Sequence, residues 1–237
     1  MTADLKVILL SSTPNPERAV AVAGRLCYAA VSASDLLDEM SDEEVEKLVG
    51  ILIRSGHHSA IEHASFTFAI DGISRACSHQ LVRHRVASYS QQSQRYVLFE
   101  NEFVIPPAIN EDQQMREVFE RAMREAKKAY DELVALGTAK GLKKEPVQED
   151  ARFVLPNAAE TKIVVTMNAR ELRHFFDQRC CKRAQWEIRA MAIEMFKLCR
   201  AAAPRLFWLA GPSCITGTCK EGKMSCGNPY PKDFFAN

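Results

Sequence analysis

The densest set of side chains that could do chemistry lies between Arg83 and Arg95, in the run RHRVASYSQQSQR. Two arginines and a histidine are followed there by serines, glutamines and a third arginine, while the wider stretch from Gly72 to Phe99 holds no Asp or Glu. Guanidinium groups bind phosphate through paired hydrogen bonds, and hydroxyl groups can satisfy the remaining oxygens. The run therefore predicts a site for a phosphorylated ligand, although a solvated basic face or a nucleic-acid backbone would satisfy the same charges.

A second set lies at residues 168–179, in the run NARELRHFFDQR. If this run is one helix, Arg170, His174 and Gln178 share a face, because they are spaced four residues apart. Arg179 lies nine residues beyond Arg170 and therefore about half a turn round. The spacing predicts that the two arginines address different ligands, while the apolar side chains between them pack inward.

Two further groups could suggest a metal ion. The run SGHHSAIEH at residues 55–63 holds three histidines and a glutamate, but it lacks a helical His-x-x-x-His pair, so a lone polar histidine or one that contacts a cofactor is the better interpretation. Near the carboxyl terminus, Cys214, Cys219 and Cys226 lie among glycines. They could hold structural zinc with a fourth ligand from Cys180, Cys181 or Cys199, or they could be unligated thiols.

The composition limits the class of protein. The chain has 237 residues, of which 47% are hydrophobic and 26% charged, and its formal net charge is +1. Disordered chains are less apolar and more highly charged, and no run reaches the roughly 18 apolar residues of a transmembrane helix. The amino terminus has no pattern of a secretory or transit peptide, so we expect a cytoplasmic protein whose eight cysteines are thiols or metal ligands. Because no Gly-x-Gly-x-x-Gly or Walker loop occurs, any dinucleotide should be held by side chains.

The elements that must position these residues alternate along the chain. Strand-like periodicity occurs at residues 7–11, 66–70 and 162–167, with an irregular stretch after the second strand. Helices are predicted at residues 19–29, 41–54, 110–137, 148–154, 168–179 and 184–202. The helix at 110–137 carries a stripe of Met, Val, Leu and aromatic residues, which predicts core or a subunit interface. We expect an α/β (α+β) single-domain subunit with a mixed or antiparallel sheet and flanking helices, including this long amphipathic one.

Many of these positions occur together in one known family. Arg83-His84-Arg85 followed after seven residues by Ser93 resembles the signature of the flavin-dependent thymidylate synthases. The other matching positions keep the family's order and nearly its spacing, and they are Gly56-His57, Glu62-His63, Gln80, Glu149, Arg152, Asn168-Ala169-Arg170, Arg179 and Ala184-Gln185-Trp186-Glu187. The resemblance covers about residues 50 to 190. So many coincident polar positions are hard to obtain by chance.

The resemblance implies two sets of binding residues. Those implied for the substrate dUMP are Gln80, Leu81, Val82, Arg83, Gln91, Gln92, Ser93, Gln94, Arg95, Arg152 and Arg179. Those implied for FAD are His57, Ser59, Arg83, His84, Arg85, Gln91, Asn168, Ala169, Arg170 and His174. His57 is preferred to His58 because it keeps the family's spacing to Glu62. Ser90-Gln91 stands where the family often has Asn-Glu, and His174 where it often has Asn, so the role of Gln91 is left open.

The resemblance also implies the reaction. dUMP would be methylated to dTMP through FAD, with NADPH as reductant, methylenetetrahydrofolate as carbon donor and no cysteine nucleophile. Arg179 would be the catalytic residue, because a permanent cation against the uracil favours its activated anion. Family members are homotetramers with active sites shared between subunits, and we expect neither a nucleic acid nor a membrane as partner. The expected division is a catalytic domain at residues 1–210 and a Cys/Gly-rich tail at 211–237.

Two rivals to the enzyme remain open on the residues alone. The first is a non-catalytic RNA-binding protein that uses the acid-free stretch as its phosphate patch, and the second is a zinc-stabilised nucleotide-binding protein without turnover. An RNA-binding protein should be colourless and bind RNA in a salt-sensitive way, whereas the enzyme should be yellow and release FAD on denaturation.

Overall fold

The computed structural model describes residues 3–100, 102–231 and 233–234. A four-stranded antiparallel sheet has the strand order β1-β2-β4-β3. Its strands are β1 Lys6–Ser12, β2 Ser65–Ser74, β3 Ala87–Gln91 and β4 Glu160–Asn168. This sheet with long flanking helices confirms the expected α/β (α+β) class.

Nine α-helices occur in the described residues. They are α1 Pro16–Leu26, α2 Ala33–Glu39, α3 Asp42–Arg54, α4 Arg75–Leu81, α5 Pro107–Glu111, α6 Gln113–Ala139, α7 Lys144–Ala151, α8 Ala169–Arg179 and α9 Trp186–Ala202. Short 3-10 helices lie at Ala60–His63, Arg152–Val154, Ser213–Ile215 and Gly222–Met224. No described helix is both long and apolar enough to cross a membrane.

The chain divides into two compact units. The first unit consists of the described residues within Met1–Lys6, Ile70–Leu81 and Ser90–Ile163. Its core includes the buried Tyr130 of α6, whose ring centroid lies 6.2 Å from that of Phe99, which in turn lies 5.1 Å from Phe103. Val147 and Ala151 of α7 are also buried in this unit.

The second unit consists of Val7–Ala69, Val82–Tyr89 and Val164–Asn237. Aromatic rings form a continuous cluster in its core: Phe176 of α8 lies 5.5 Å from Phe196 and 5.9 Å from Phe207, and Phe207 lies 5.3 Å from Phe66. This packing fixes α8 against α9 and the strand that carries Phe66. The described residues of the tail belong to the second unit, while Lys232 and residues 235–237 of the tail lie outside the described part of the chain.

Gly72 of β2 allows a close approach of two backbone segments in the first unit. Its φ of +73° is one that L side chains rarely adopt. A Cβ atom at this position would lie only 1.9 Å from the carbonyl oxygen of Asp4. The backbone nitrogen of Gly72 also donates to the carboxylate of Glu160, at 3.0 Å.

Two helices, α3 and α8, start at the capping residues where the sequence predicts them to start. Ser41 and Glu44 form a capping box at the start of α3, and Asn168 caps α8 by accepting from the backbone nitrogen of Glu171. Asp112 caps α6, which therefore starts at Gln113, three residues after its predicted start at residue 110. These side chains satisfy backbone donors that the first helical turn leaves free.

Three predictions of elements differ from the structure. α7 starts at Lys144, four residues before its predicted start at residue 148; Pro146 is tolerated because the first turn does not need its missing N–H. α1 likewise starts at Pro16, three residues before its predicted start. The stretch after β2 is irregular only in part, because it forms α4 and then β3, while residues 82–86 between them, with Arg83 and Arg85, lie outside any helix or strand. Ser74 helps to start α4, since its Oγ accepts from the backbone nitrogen of Cys77 at 3.0 Å.

The long helix α6 keeps most of its apolar stripe in contact with solvent. Tyr130 is buried, but Met115 is 48%, Val118 55%, Leu133 43% and Leu136 51% exposed. The stripe was predicted to be either core or a subunit interface. Over most of its length, it is not part of the core of a single chain.

Candidate functional site

A basic cavity lies in the first unit. It has a volume of about 340 Å³ and is lined by Arg75, His79, Gln94, Arg152, Phe153, Leu155, Pro156 and Asn157. None of these lining residues is an Asp or Glu. We call it the Arg152 cavity. It brings together two of the residues predicted for dUMP, Gln94 and Arg152, with an arginine and a histidine that were not predicted.

Arg75 is the unexpected cation of the Arg152 cavity. It is the first residue of α4, and its Nη2 donates to the carbonyl oxygen of Gln92 at 3.3 Å. Its Nε is buried and has no hydrogen-bond partner among the described residues. Burial, and then the charge of Arg152, lowers the pKa of Arg75. Two cations that share a cavity without a carboxylate in its lining create a site that an anion would stabilise.

The other residues predicted for dUMP divide between polar contacts and the core. The Nε of Arg95 lies 3.0 Å from Oε2 of Glu149, and the Nε of Arg152 donates to the carbonyl oxygen of Glu149 at 3.1 Å. Ser93 accepts from the backbone nitrogen of Arg95 at 3.2 Å. Gln92, Ser93 and Gln94 line a smaller cavity of about 180 Å³. Gln80 is half-buried, Leu81 is buried and Val82 is exposed.

The side chain of Gln91 forms hydrogen bonds with other residues of the same unit. Its Nε2 donates to Oγ of Ser78 at 3.0 Å and to Oγ1 of Thr161 at 3.2 Å. Both hydroxyl groups belong to buried residues of the first unit. Gln91 therefore joins α4, β3 and β4 in this structure, which is a reason for an amide rather than a carboxylate at this position.

A larger cavity of about 710 Å³ lies in the second unit. We call it the Arg170 cavity. Residues at the start and along one face of α8 line it, together with His58 and with residues of the 209–220 segment; those of α8 and its cap are Asn168, Arg170, Glu171, Arg173, His174 and Asp177. Arg170 forms an ion pair with Glu62, and the side chains of His174 and Gln178 are 3.0 Å apart. The four-residue spacing along α8 thus produces the shared face that the sequence predicts.

The remaining residues predicted for FAD lie at different depths. His58 lines the Arg170 cavity and is half-buried, whereas His57 is exposed. Burial, followed by the charges of Arg173 and Arg170, lowers the pKa of His58. Arg83, Arg85 and Ser59 are exposed, and Ala169 is buried. No ion pair within the described chain includes Arg83 or Arg85.

His84 is buried at the centre of a polar network. Its Nδ1 lies 3.2 Å from Oε1 of Glu171, and its Nε2 accepts from Nε of Arg179 at 3.0 Å. The pKa of His84 is lowered to about 4, first by burial and then by the charges of Arg179 and His174. The phenol of Tyr89 donates to the carbonyl oxygen of His84 at 2.7 Å. The ring is therefore neutral at pH 7 and has no free nitrogen.

Arg179 lines a third cavity, of about 650 Å³, together with Lys182, Arg183 and tail residues. We call it the Arg179 cavity. Arg170 does not line it, so the two arginines line different cavities, and that they address different ligands stays a prediction. Cys214, Cys219 and Cys226 also line the Arg179 cavity. In the described part of the chain, however, no three His, Cys, Asp or Glu side chains are grouped so that they could hold a metal ion, and the arrangement gives the zinc hypothesis no support.

Comparison with known proteins identifies the family. A family model described as "Thymidylate synthase complementing protein" matches residues 8–205. A flavin-dependent thymidylate synthase of Geobacter sulfurreducens is 55% identical over 226 residues, which is 94% of each chain. The chain belongs to the flavin-dependent thymidylate synthase family. A second member, from Clostridium tetani, is 51% identical over 95% of this chain and 94% of the relative.

A solved structure agrees with this membership in the flavin-dependent thymidylate synthase family. The UMP/dUMP methylase PolB of Streptomyces cacaoi, crystallised with 5-Br dUMP, has a TM-score of 0.73 and 26% identity. The match covers 86% of this chain and 93% of the methylase. The chain is therefore an enzyme of the methyltransferase class, which decides against the two non-catalytic rivals.

Two residues of this family member were missed by sequence reasoning. Arg75 lies in the acid-free stretch but eight residues before Arg83, so the arginine run alone did not include it. Glu171 was given no role from the sequence, although it is buried against His84, 87 residues away in sequence. Arg75 could have been found from the charge distribution of the sequence, whereas the contact between Glu171 and His84 could be seen only in the folded structure.

Proposed function

We propose that this chain methylates dUMP to dTMP, with FAD as cofactor, methylenetetrahydrofolate as carbon donor and NADPH as reductant. The observation that carries the proposal is membership of the flavin-dependent thymidylate synthase family, together with likeness to a methylase crystallised with 5-Br dUMP. When bound, FAD supplies the redox carrier between reductant and substrate. The residues of the protein bind and orient the ligands and stabilise the charge that develops during the reaction.

The Arg152 cavity supports the phosphate end of this proposal. Arg75 and Arg152 offer guanidinium groups without an acid in the lining, and the unpartnered Nε of Arg75 is the kind of buried donor that a phosphate oxygen would satisfy. We propose that these two arginines bind the dUMP phosphate, together with Gln94 and the neighbouring Ser93 and Arg95. Arg75 is the addition to the residues implied by the sequence.

The donors of the Arg170 cavity fit a flavin dinucleotide. Asn168, Arg170 and His174 line a space of about 710 Å³ with amide, guanidinium and imidazole groups, which suit pyrophosphate and ring-carbonyl oxygens. The exposed Arg83 and Arg85 offer further cations. We propose that these residues hold FAD, with His58, rather than His57, as the histidine of the cavity wall.

Arg179 is proposed as the catalytic residue. Its guanidinium keeps a positive charge at any physiological pH and lines a cavity large enough for a nucleobase. A fixed cation there would stabilise negative charge on the uracil, so no cysteine nucleophile is required. Burial raises the pKa of the Cys180 and Cys199 thiols, which makes these two poor nucleophiles.

The exposed stripe of α6 supports an oligomer. Met115, Val118, Leu133 and Leu136 are large apolar side chains in solvent on one helix, a pattern that marks interaction surfaces. We propose a cytoplasmic homotetramer in which α6 contributes to a subunit interface and the active sites are shared. The division into a catalytic domain at 1–210 and a tail at 211–237 is kept as a proposal, with the tail residues closing the Arg170 and Arg179 cavities.

The decisive experiment is an NADPH oxidation assay with the FAD-loaded protein and methylenetetrahydrofolate, run with dUMP, with UMP and without nucleotide. We expect a yellow protein that forms dTMP, detected by mass spectrometry, only when dUMP, folate and NADPH are all present. A colourless protein, or NADPH oxidation in the complete mixture without any methylated nucleotide, would refute the proposal. Methylation of UMP at a rate equal to that of dUMP would revise the substrate, since the structural neighbour is described as acting on both.

A further inference from the structure

Three residues of α8 form one stripe beneath His84. Glu171, Phe175 and Arg179 are spaced four residues apart, so their side chains lie on one helix face. His84 contacts all three: a hydrogen bond at each end of the stripe, and an edge-to-face ring contact with Phe175 at 4.9 Å in the middle. Only 5% of the His84 side chain and 11% of the Glu171 side chain are exposed. The imidazole is thus fixed along α8 from both ends.

The direction of the hydrogen bonds follows from the chemistry of arginine. A guanidinium Nε can only donate, so Nε2 of His84 must be the acceptor and its proton must lie on Nδ1. Nδ1 then donates to Glu171, which selects this tautomer in the way that a carboxylate orients a catalytic imidazole. A protonated His84 could not accept from Arg179, and burial beside the Arg179 guanidinium lowers its pKa, so it is neutral.

The hydrogen bond to His84 limits the conformations that the Arg179 side chain can adopt. An arginine side chain has several rotatable bonds, and holding it in one geometry costs conformational entropy. Fixing Nε removes most of this freedom before any ligand binds. Within the described chain no hydrogen bond takes up either Nη group, so the two ends of the guanidinium can serve a ligand in the Arg179 cavity.

We propose that Glu171, acting through His84, is a positioning residue that holds the guanidinium of Arg179 ready for the substrate. This inference rests on the proposed role of Arg179 at the uracil. Glu171 itself lines the Arg170 cavity, about two helical turns before Arg179, so the His84 ring connects a residue of one cavity with a residue of the other. Displacing a reacting group by about 1 Å can cost roughly a hundredfold in rate.

The test compares Glu171→Leu and Glu171→Gln with a matched control, Glu17→Leu. Glu17 is another shielded carboxylate of the second unit, with 14% exposure and an ion pair to Arg205, but it lines none of the three cavities described above. We expect Glu171→Leu to lower kcat by roughly ten- to a hundredfold while the KM for dUMP and the FAD content change less than twofold. Glu171→Gln keeps an oxygen acceptor for Nδ1–H and should recover part of the rate. Glu17→Leu should leave kcat per folded enzyme unchanged.

A second measurement does not depend on turnover. Nitrogen NMR of the protein with labelled histidine, without substrate, should show neutral His84 with its proton on Nδ1, and Glu171→Leu should weaken this preference, because only the bond from Arg179 then selects the tautomer. A wild-type proton on Nε2 would overturn the proposal even if the variants fail to fold. So would a folded Glu171→Leu protein with wild-type kcat, or one that loses rate only through FAD or dUMP binding.

The outcome also separates this inference from the proposed function. If Arg179→Ala is inactive while folded Glu171→Leu turns over normally, only the positioning role fails. If Arg179→Ala itself retains full turnover, the catalytic assignment fails first, and the positioning of Arg179 has no consequence for the reaction.

Discussion

The arginines of the candidate binding regions differ in whether a protein carboxylate already compensates their charge. Arg95 is paired with Glu149 and Arg170 with Glu62, whereas no ion pair within the described chain includes Arg75 or Arg152. A ligand anion must compete with the carboxylate at the first two, but it meets two uncompensated cations in the Arg152 cavity. The energetics of phosphate binding should therefore depend most on Arg75 and Arg152.

Arg152→Ala should weaken dUMP binding by roughly ten- to a hundredfold, because it removes a charge-assisted contact of about 1.5 to 3 kcal/mol. FAD content should not change. Isothermal titration with dUMP and absorbance of the bound flavin measure the two separately. Arg116→Ala is the matched control, since Arg116 is an arginine of α6 that pairs only with Glu120 on the helix surface. Loss of FAD with unchanged dUMP affinity would show that the cavity binds the other ligand.

Arg179→Ala should lower turnover by roughly a hundred- to a thousandfold, which is the usual cost of removing one preorganised charge from a reaction site. Arg179→Lys keeps the charge but loses the planar fork and the Nε bond to His84, so it should recover only part of the rate. Steady-state dTMP formation at saturating dUMP and folate gives kcat for each variant. A loss below about threefold, with both ligands still bound, would exclude Arg179 as the activating residue.

At the level of elements, the sequence predicted features that depend on neighbouring residues, but not contacts between residues far apart in the chain. Capping residues gave the start of α3 and α8, and hydrophobic periodicity gave α6. The cavity role of Arg75 and the burial of Glu171 depend on segments far apart in sequence, so periodicity and spacing could not reveal them. The sequence did not predict strand β3, because a half-buried strand is recognised by alternating apolar and polar residues. β3 instead carries serines, tyrosine and glutamine, which are polar on both of its faces.

The exposed stripe of α6 gives a prediction for that element. Val118→Asp places a carboxylate on the stripe, and burying it unpaired at an interface costs about 3 kcal/mol or more, so subunit association should weaken by over roughly a hundredfold. Sedimentation velocity should show smaller species than the wild type at equal concentration. Ala135→Asp, also exposed but on another face of α6, should leave the assembly intact. Wild-type assembly in Val118→Asp would place the interface elsewhere.

At the level of the whole molecule, the opposite directions of Arg170 and Arg179 make shared active sites testable. Arg170→Ala and Arg179→Ala proteins should each be almost inactive. If one active site takes Arg170 from one subunit and Arg179 from another, random co-assembly of equal amounts should restore about a quarter of the sites. Co-expression with two affinity tags and dTMP assay of the doubly tagged fraction measures this. Activity no greater than that of the separate variants would mean that both arginines serve a site from the same chain.

The close approach at Gly72 sets a boundary for engineering a more heat-resistant protein. Replacing glycine by alanine usually restricts the unfolded chain and gains about 0.4 to 1 kcal/mol. Gly50 of α3 suits this strategy, because an added methyl group would meet only the flexible end of Arg54, at 3.4 Å. At Gly72 the same methyl group would collide with the Asp4 carbonyl oxygen, so the exchange should lower the melting temperature where Gly50→Ala raises it, as calorimetry of the two variants would measure. Backbone geometry, more than residue type, thus decides where this chain can be rigidified.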